Sequence, residues 1–269
     1  MSALLVHSGS RRAGFLSLAS VCALLSAALV NPAPATSPAA VAPACTLSAS
    51  GVDIALTRTR QQLTHGNTLT IVAIGSSSTW GAGASSGSAS YPSRLEAMLK
   101  RRFPSVEIRV LNRGVGGEEE ADMLARFDRD VIAEKPDLVL WQVGSNAVMR
   151  DRALAAQEAL IRTGIARLRK TEADIVLVDP QYTTAILQHA VAQPMVELIG
   201  TEASRQGVGR FRRFALMKAW REKESIPFEA FSIADGLHMN DWGYDCLARN
   251  LAAAIVDAAV PSAVASNVH

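Results

Sequence analysis

The 269 residues suffice for one substantial core or two small ones, and 49% hydrophobic against 19% charged residues is an ordinary globular balance. Of the 27 Lys and Arg residues, only Arg11 and Arg12 fall within the first 45 positions, which leaves 25 against 25 acids in the remainder. A remainder so close to neutral offers no electrostatic case for a nucleic-acid partner.

The first 45 positions stand apart. They hold no Asp or Glu; Arg11-Arg12 precede an apolar run from Ala13 to Val30, and a Pro/Ala tract runs from Asn31 to Ala44. A basic start, an apolar middle and a small-residue exit form the layout of a secretory signal. The run is also about as long as a single membrane anchor, although no basic stop-transfer cluster follows it. Arg11-Arg12 before Phe15-Leu16 resembles a loosely spaced twin-arginine signal. The expectation is an exported protein, periplasmic or secreted, with no stable membrane association after cleavage; a retained N-terminal anchor is the alternative. Residues 1–45 are read as leader, 46–262 as one domain and 263–269 as a tail. Of the three cysteines, Cys22 lies in the leader, so Cys45 and Cys246 remain as a candidate disulfide, with two free buried thiols as the alternative.

Beyond the leader, strand-like and helix-like segments alternate. Leu69 to Ile74 is a short β-rich run ending at Gly75. Tyr91 to Phe103 carries Leu95, Met98, Leu99 and Phe103 on one helical face. Val106 to Leu111 alternates like a strand. Glu118 to Glu134 opens with acids, which suit a helix N-terminus. Leu138 to Val143 is a third strand, Arg152 to Lys170 a helix, and Ile175 to Val178 a fourth strand stopped by Asp179-Pro180. Val191 to Gln206 and Arg212 to Glu224 read as helices, Pro227 to Ile233 as a fifth strand, and Asn240 to Ala259 as the last helix. Strands alternating with long helices predict a doubly wound, mostly parallel α/β sheet, with ligands beyond the C-terminal strand ends.

The loops at those ends are distinctive. Gly75-Ser76-Ser77-Ser78-Thr79-Trp80-Gly81 follows the first strand and Asn112-Arg113-Gly114-Val115-Gly116-Gly117 the second. Gly144-Ser145-Asn146 follows the third, and Asp235-Gly236-Leu237-His238 the fifth. A hydroxyl, glycine amides, a carboxamide and an Asp/His pair would converge there. A serine hydroxyl becomes a useful nucleophile when an imidazole takes its proton and a carboxylate orients that imidazole. Backbone N–H groups and an Asn amide meet the oxyanion that forms on an attacked carbonyl.

Taken singly, each block has a bland reading. The serine loop is a turn, Asn146 a loop-capping amide, and Asp235/His238 a helix-entry cap or, with Asp241, a metal site. The serine loop is neither a Gly-x-Ser-x-Gly elbow, since position 79 is Thr, nor a phosphate loop. The Gly114/Gly116 pair fails as a dinucleotide fingerprint because Glu stands at 119. His65 and His189 read as structural, and Trp80 reads as a packing residue, with substrate stacking as the alternative. Gln181-Tyr182 reads either as a pocket lining or as a turn after Pro180. Arg205, Arg210, Arg212 and Arg213 read as a solvated helix face, with an anionic glycan or phospholipid head group as the alternative.

Taken together, the ordered Ser, Gly, Asn and His blocks resemble the SGNH hydrolases, or GDSL family, over essentially the whole mature chain. The resemblance implies a three-layer, flavodoxin-like α/β/α sandwich on a five-stranded sheet, no cofactor, and ester hydrolysis through an acyl-enzyme. It implies Ser77 as nucleophile, His238 as base and Asp235 as its partner, with Ser77, Gly117 and Asn146 as oxyanion donors. Small-molecule or glycan esters would be the substrates, and the absence of a long apolar lid favours a small acyl group. Two positions depart from the family: Ser76 stands where an Asp is usual before the serine, and Ala147 where an Asp often follows the asparagine. An O-acyltransferase using the same residues and a non-catalytic glycan-binding module are the rival readings.

Overall fold

The computed structural model describes residues 42–47, 51–65 and 68–260. The chain divides into two units, 1–40 and 41–269, and all the described residues belong to the second. The leader as far as residue 41, with Cys22 and the apolar run, lies outside the described residues, as does the 263–269 tail. Among the described residues no helix is long and apolar enough to cross a membrane.

The first half of the domain runs α1 (Thr57–His65), β1 (Thr68–Gly75), α2 (Ser77–Trp80), α3 (Tyr91–Arg102), β2 (Glu107–Gly114), α4 (Glu120–Ala125) and α5 (Phe127–Asp130). The second half runs β3 (Leu138–Gln142), α6 (Ser145–Met149), α7 (Leu154–Leu168), β4 (Asp174–Val178), α8 (Thr184–Leu187) and α9 (Ala192–Gln206). It ends with β5 (Gly209–Phe211), α10 (Arg213–Glu222), α11 (Phe228–Phe231) and α12 (Asp241–Ala259). The five strands lie in the order β2-β1-β3-β4-β5, all parallel. That is the flavodoxin-like arrangement, whose strand order reverses between β1 and β3.

Side chains alternate across the strands, so both faces must be covered. Leu138 and Leu140 of β3 pack with α1, α3, α10 and α12 on one side. Val139 and Trp141 pack with α4, α5, α7 and α9 on the other. The result is a three-layer α/β/α sandwich. Trp141 lies so close to α7 that a Cβ on Gly164 would stand 2.1 Å from its ring, which only glycine permits.

Three segments differ from the sequence reading. The fifth strand is Gly209–Phe211, whereas Pro227–Ile233 contains the single turn α11. Phe228 and Phe231 of α11 lie 5.5 Å apart and Phe231 packs 5.5 Å from Trp220, so this apolar run serves the helix layer and not the sheet. The helix expected over 118–134 is broken at Arg126, whose guanidinium turns inward to the carbonyls of Gly75 and Arg113. Helix α1 had no sequence signal; it is fastened to the sheet by Arg58 on Asp137 (2.9 Å) and Thr59 on Asp174 (2.8 Å). Cys45 and Cys246 form a disulfide that joins the segment before α1 to α12, and Trp242 Nε1 donates to the Pro43 carbonyl at 2.7 Å beside it.

Candidate active site

The β1/β3 reversal places the loops after these two central strands side by side, which is where ligands sit in open parallel sheets. β1 ends at Gly75, where any Cβ would meet Thr79 Oγ1 at 2.2 Å, so the chain turns at once into α2. Ser77 is the first residue of that helix and is half-buried. From the opposite end of the domain, Asp235 Oδ1 accepts the backbone N–H groups of Leu237 (2.8 Å) and His238 (2.9 Å). Its Oδ2 lies 2.6 Å from His238 Nδ1, and His238 Nε2 lies 2.8 Å from Ser77 Oγ. With the Nδ1 proton given to Asp235, the Nε2 lone pair faces the serine hydroxyl.

Burial works to raise the Asp235 pKa, but the His238 side chain and the two backbone donors outweigh it and hold the carboxylate below its usual range. The loop carrying the pair is pinned on both sides. Ile233 N–H donates to the His238 carbonyl at 2.9 Å, Ser232 bridges Met239, and Asn240 caps α12 by accepting from Gly243 at 3.0 Å. Asp235 keeps 40% of its side chain exposed and His238 18%, so the line opens onto the surface.

The glycine block closes on the serine from β2. A Cβ on Gly114 would stand 2.1 Å from Trp80 N, and one on Gly116 4.0 Å from Ser77 Cβ. Gly117 adopts φ +79° and its carbonyl accepts from Arg150 at 3.0 Å. The N–H groups of Ser77 and Gly117 have no acceptor among the described residues. Asn146 Nδ2 donates to the Glu118 carbonyl at 2.8 Å, which fixes its amide against the glycine loop and leaves its second N–H without an acceptor among the described residues. A hydroxyl facing a base and three free N–H donors is the set needed to attack a carbonyl and hold the resulting oxyanion.

Beneath the serine lies a polar layer that sequence reasoning missed. Gln142 Oε1 accepts from Ser76 N–H (2.8 Å) and Ser76 Oγ (2.9 Å), so the serine at the departed Asp position is anchored to β3. Arg213, read as part of a solvated face, is fully buried: it donates to Ser78 Oγ (2.9 Å), Ser145 Oγ (3.2 Å), Gln181 Oε1 (2.9 Å) and the Asp179 carbonyl (2.8 Å). One guanidinium thus ties together the loops after β1, β3 and β4. Arg210 is likewise drawn inward, onto the buried carboxylate of Asp179 at 2.7 Å, whereas Arg205 and Arg212 keep 61% and 49% of their side chains exposed. An arginine run carries no local signal of which member will be buried; the short strand within it, Gly209–Phe211, unrecognised in the sequence, decides.

Gln181 is 2% exposed and spends its amide on Ser145, Arg213 and Leu237, so it spaces the loops instead of lining a pocket. Tyr182 is half-buried; burial and its bond to Glu222 push its pKa up to about 12, and its ring stacks 6.0 Å from Phe228. Asp241 is taken by Ser85, and His189 meets Asp151 at 3.0 Å, whereas His65 is exposed. Among the described residues no group of three or more His, Cys, Asp or Glu is placed to hold a metal ion. Trp80, read as a packing residue, is 62% exposed.

Comparison with known proteins agrees with this architecture. The acetylxylan esterase of Geobacillus stearothermophilus is 31% identical over 102 residues, which is 34% of this chain and 47% of that protein. The chain therefore spans about half the length of this curated relative. A two-domain esterase active on acetylated mannans superposes with a TM-score of 0.64 at 19% identity, over 81% of this chain and 58% of that one. The structure of an acetylxylan esterase from Geobacillus stearothermophilus gives a TM-score of 0.59 at 22% identity, over 71% of this chain and 94% of that one. At such identities the two superpositions establish the shared fold. The model of the non-GDSL lipase-like family matches residues 40–261, and the chain belongs to that family.

Proposed function

We propose that this chain is an exported serine ester hydrolase that removes short acyl groups, acetyl above all, from carbohydrate. The observation that carries the reading is the unbroken line Asp235–His238–Ser77, with contacts of 2.6 and 2.8 Å. Ser77 Oγ attacks the ester carbonyl while His238 Nε2 takes its proton, and Asp235 stabilises the imidazolium that forms. The uncommitted N–H groups of Ser77, Gly117 and Asn146 receive the oxyanion. His238 then protonates the leaving sugar hydroxyl, and a water activated by the same imidazole releases the acid from Ser77.

The carbohydrate assignment draws support from the relatives, whose names refer to acetylated xylan and acetylated mannans. A small acyl group suits the polar layer of Gln142, Ser78 and Arg213, which are joined by hydrogen bonds next to Ser77. Export is supported by the signal-like leader and by the Cys45–Cys246 disulfide, which persists in an oxidising compartment.

The test is hydrolysis of p-nitrophenyl acetate, butyrate and octanoate beside Ser77→Ala. Loss of turnover by roughly three orders of magnitude or more in the variant, with acetate the best ester of the parent, is expected. Undiminished turnover in the variant would end the proposal.

A further inference from the structure

Of the four tryptophans, Trp141 and Trp220 are fully buried and Trp242 is half-buried with its N–H bound to Pro43. Trp80 is 62% exposed, although its backbone is held from two sides. Its N–H donates to the Ser76 carbonyl at 3.0 Å and its carbonyl accepts from Asn112 Nδ2 at 3.3 Å. Its nitrogen also abuts Gly114 so closely that a side chain there would collide with it. The exposure is thus a property of a fixed element and not of a loose loop. A rigidly presented, exposed indole calls for an explanation in a way that a scattered surface leucine does not.

Its position supplies one. Ser77 and Trp80 are the first and last residues of the single turn α2. Residues three apart on a helix share a face, so Trp80 and Ser77 lie on the same side of that turn. The rim continues in apolar side chains on two other loops: Val115 is 43% exposed and Ile233 37%. Val115 follows the glycine that abuts Trp80, and Ile233 is bonded to the His238 carbonyl. Among these apolar groups the half-exposed Asp235 carboxylate and the Ser77 hydroxyl are the polar points. A flat π-face edged with hydrogen-bonding groups, open to solvent, matches a pyranose ring, which has C–H groups on its faces and hydroxyls at its edge. A long acyl chain would require a deep apolar channel instead.

We propose that Trp80 is the stacking platform for the sugar ring whose ester group is presented to Ser77, and so the residue that selects carbohydrate esters. This rests on the reading of the site as a serine hydrolase of glycan esters, and the test separates the two. Binding is measured in the Ser77→Ala background, where the ligand is not consumed, by titrating acetylated xylo-oligosaccharide and acetylated manno-oligosaccharide and following heat and indole fluorescence. The parent is expected to bind one or both saturably, with its indole emission shifted. Adding Trp80→Ala should weaken binding about tenfold or more, Trp80→Phe should retain most of it, and Trp80→Leu, apolar but not flat, should behave as Trp80→Ala. In the Ser77 enzyme the loss of kcat/KM on the acetylated oligosaccharide should fall mainly on KM.

Unchanged affinity in a folded Trp80→Ala protein overturns the proposal, as does full retention by Trp80→Leu or the absence of saturable binding to either oligosaccharide. Unchanged sugar affinity together with a loss of oligomer on gel filtration overturns it in favour of contact with a second copy. Failure of the serine reading would show elsewhere, as undiminished p-nitrophenyl acetate hydrolysis by Ser77→Ala.

Discussion

Arg213→Met tests whether the buried guanidinium holds the catalytic edge together. The substitution removes four hydrogen bonds of 2.8 to 3.2 Å from a fully buried position while roughly preserving side-chain bulk. Not every partner is orphaned. Ser78 still reaches Gln142 at 3.3 Å, Ser145 still donates to Gln181 at 2.8 Å, and Asp179 keeps Arg210 at 2.7 Å. The Asp179 carbonyl loses its bond to the Arg213 Nε–H, and Gln181 Oε1 loses its charged donor. An unsatisfied buried acceptor costs about 1–3 kcal/mol, and removing one member of a buried charged network about 3–5 kcal/mol. A net loss of about 3–5 kcal/mol is therefore expected, a large share of the roughly 5–15 kcal/mol typical of a domain. Arg213→Lys keeps the charge but not the fork and should lose about half as much. Urea unfolding followed by far-UV circular dichroism at neutral pH, with slopes compared, measures both. An Arg213→Met midpoint equivalent to less than about 1 kcal/mol of destabilisation would refute the idea that this network carries the edge.

Three further substitutions test particular contacts. Asp235→Asn turns a donor toward His238 Nδ1 and should cut kcat/KM by roughly 10⁴-fold with little change in fold, a loss checked by initial rates on p-nitrophenyl acetate. Because the folded Asp235 pKa is depressed, the stability this carboxylate contributes is present above its ordinary range and disappears as pH falls through the depressed value. Asp235→Asn should therefore narrow its stability gap to the parent in acid, as read by Tm between pH 6 and pH 3. Glu120 is 1% exposed; burial raises its pKa against the pull of the Gly144 N–H, and its Oε2 has no partner among the described residues. The raised value means that stability is greatest below the ordinary carboxylate range and declines as pH rises through it. Glu120→Gln should accordingly gain stability relative to the parent at pH 9 compared with pH 4, and an equal difference at both would be contrary. Cys246→Ser removes a crosslink spanning 201 residues and should cost up to about 5 kcal/mol on chain-entropy grounds, with two alkylatable thiols in the unreduced parent as the contrary result.

The parts of the fold that the sequence disclosed are those with length and period. β1, β3 and β4 are continuous apolar runs buried on both faces, and α3, α7, α9 and α12 repeat at helical spacing. β5 was hidden because three residues, Gly209 to Phe211, establish no period, whereas the apolar stretch from Pro227 imitates a strand. The four loop blocks were legible because each residue type has a chemical use at a strand end. Their support was not: Gln142 and Arg213 lie 65 and 136 positions from Ser77, and no local pattern marks them as neighbours. Trp80 was misplaced because aromatic residues next to strands are usually packed, and only the turn of α2 decides which way this one points.

The bond between Cys45 and Cys246 also sets an order of events. At about 5–20 residues per second, the 201 positions between them take roughly 10–40 s to synthesise. Cys246 arrives only with α12, so the link can close only after all five strands have been synthesised. Any product ending short of residue 246 keeps a bare thiol near its start, which labels it chemically as unfinished.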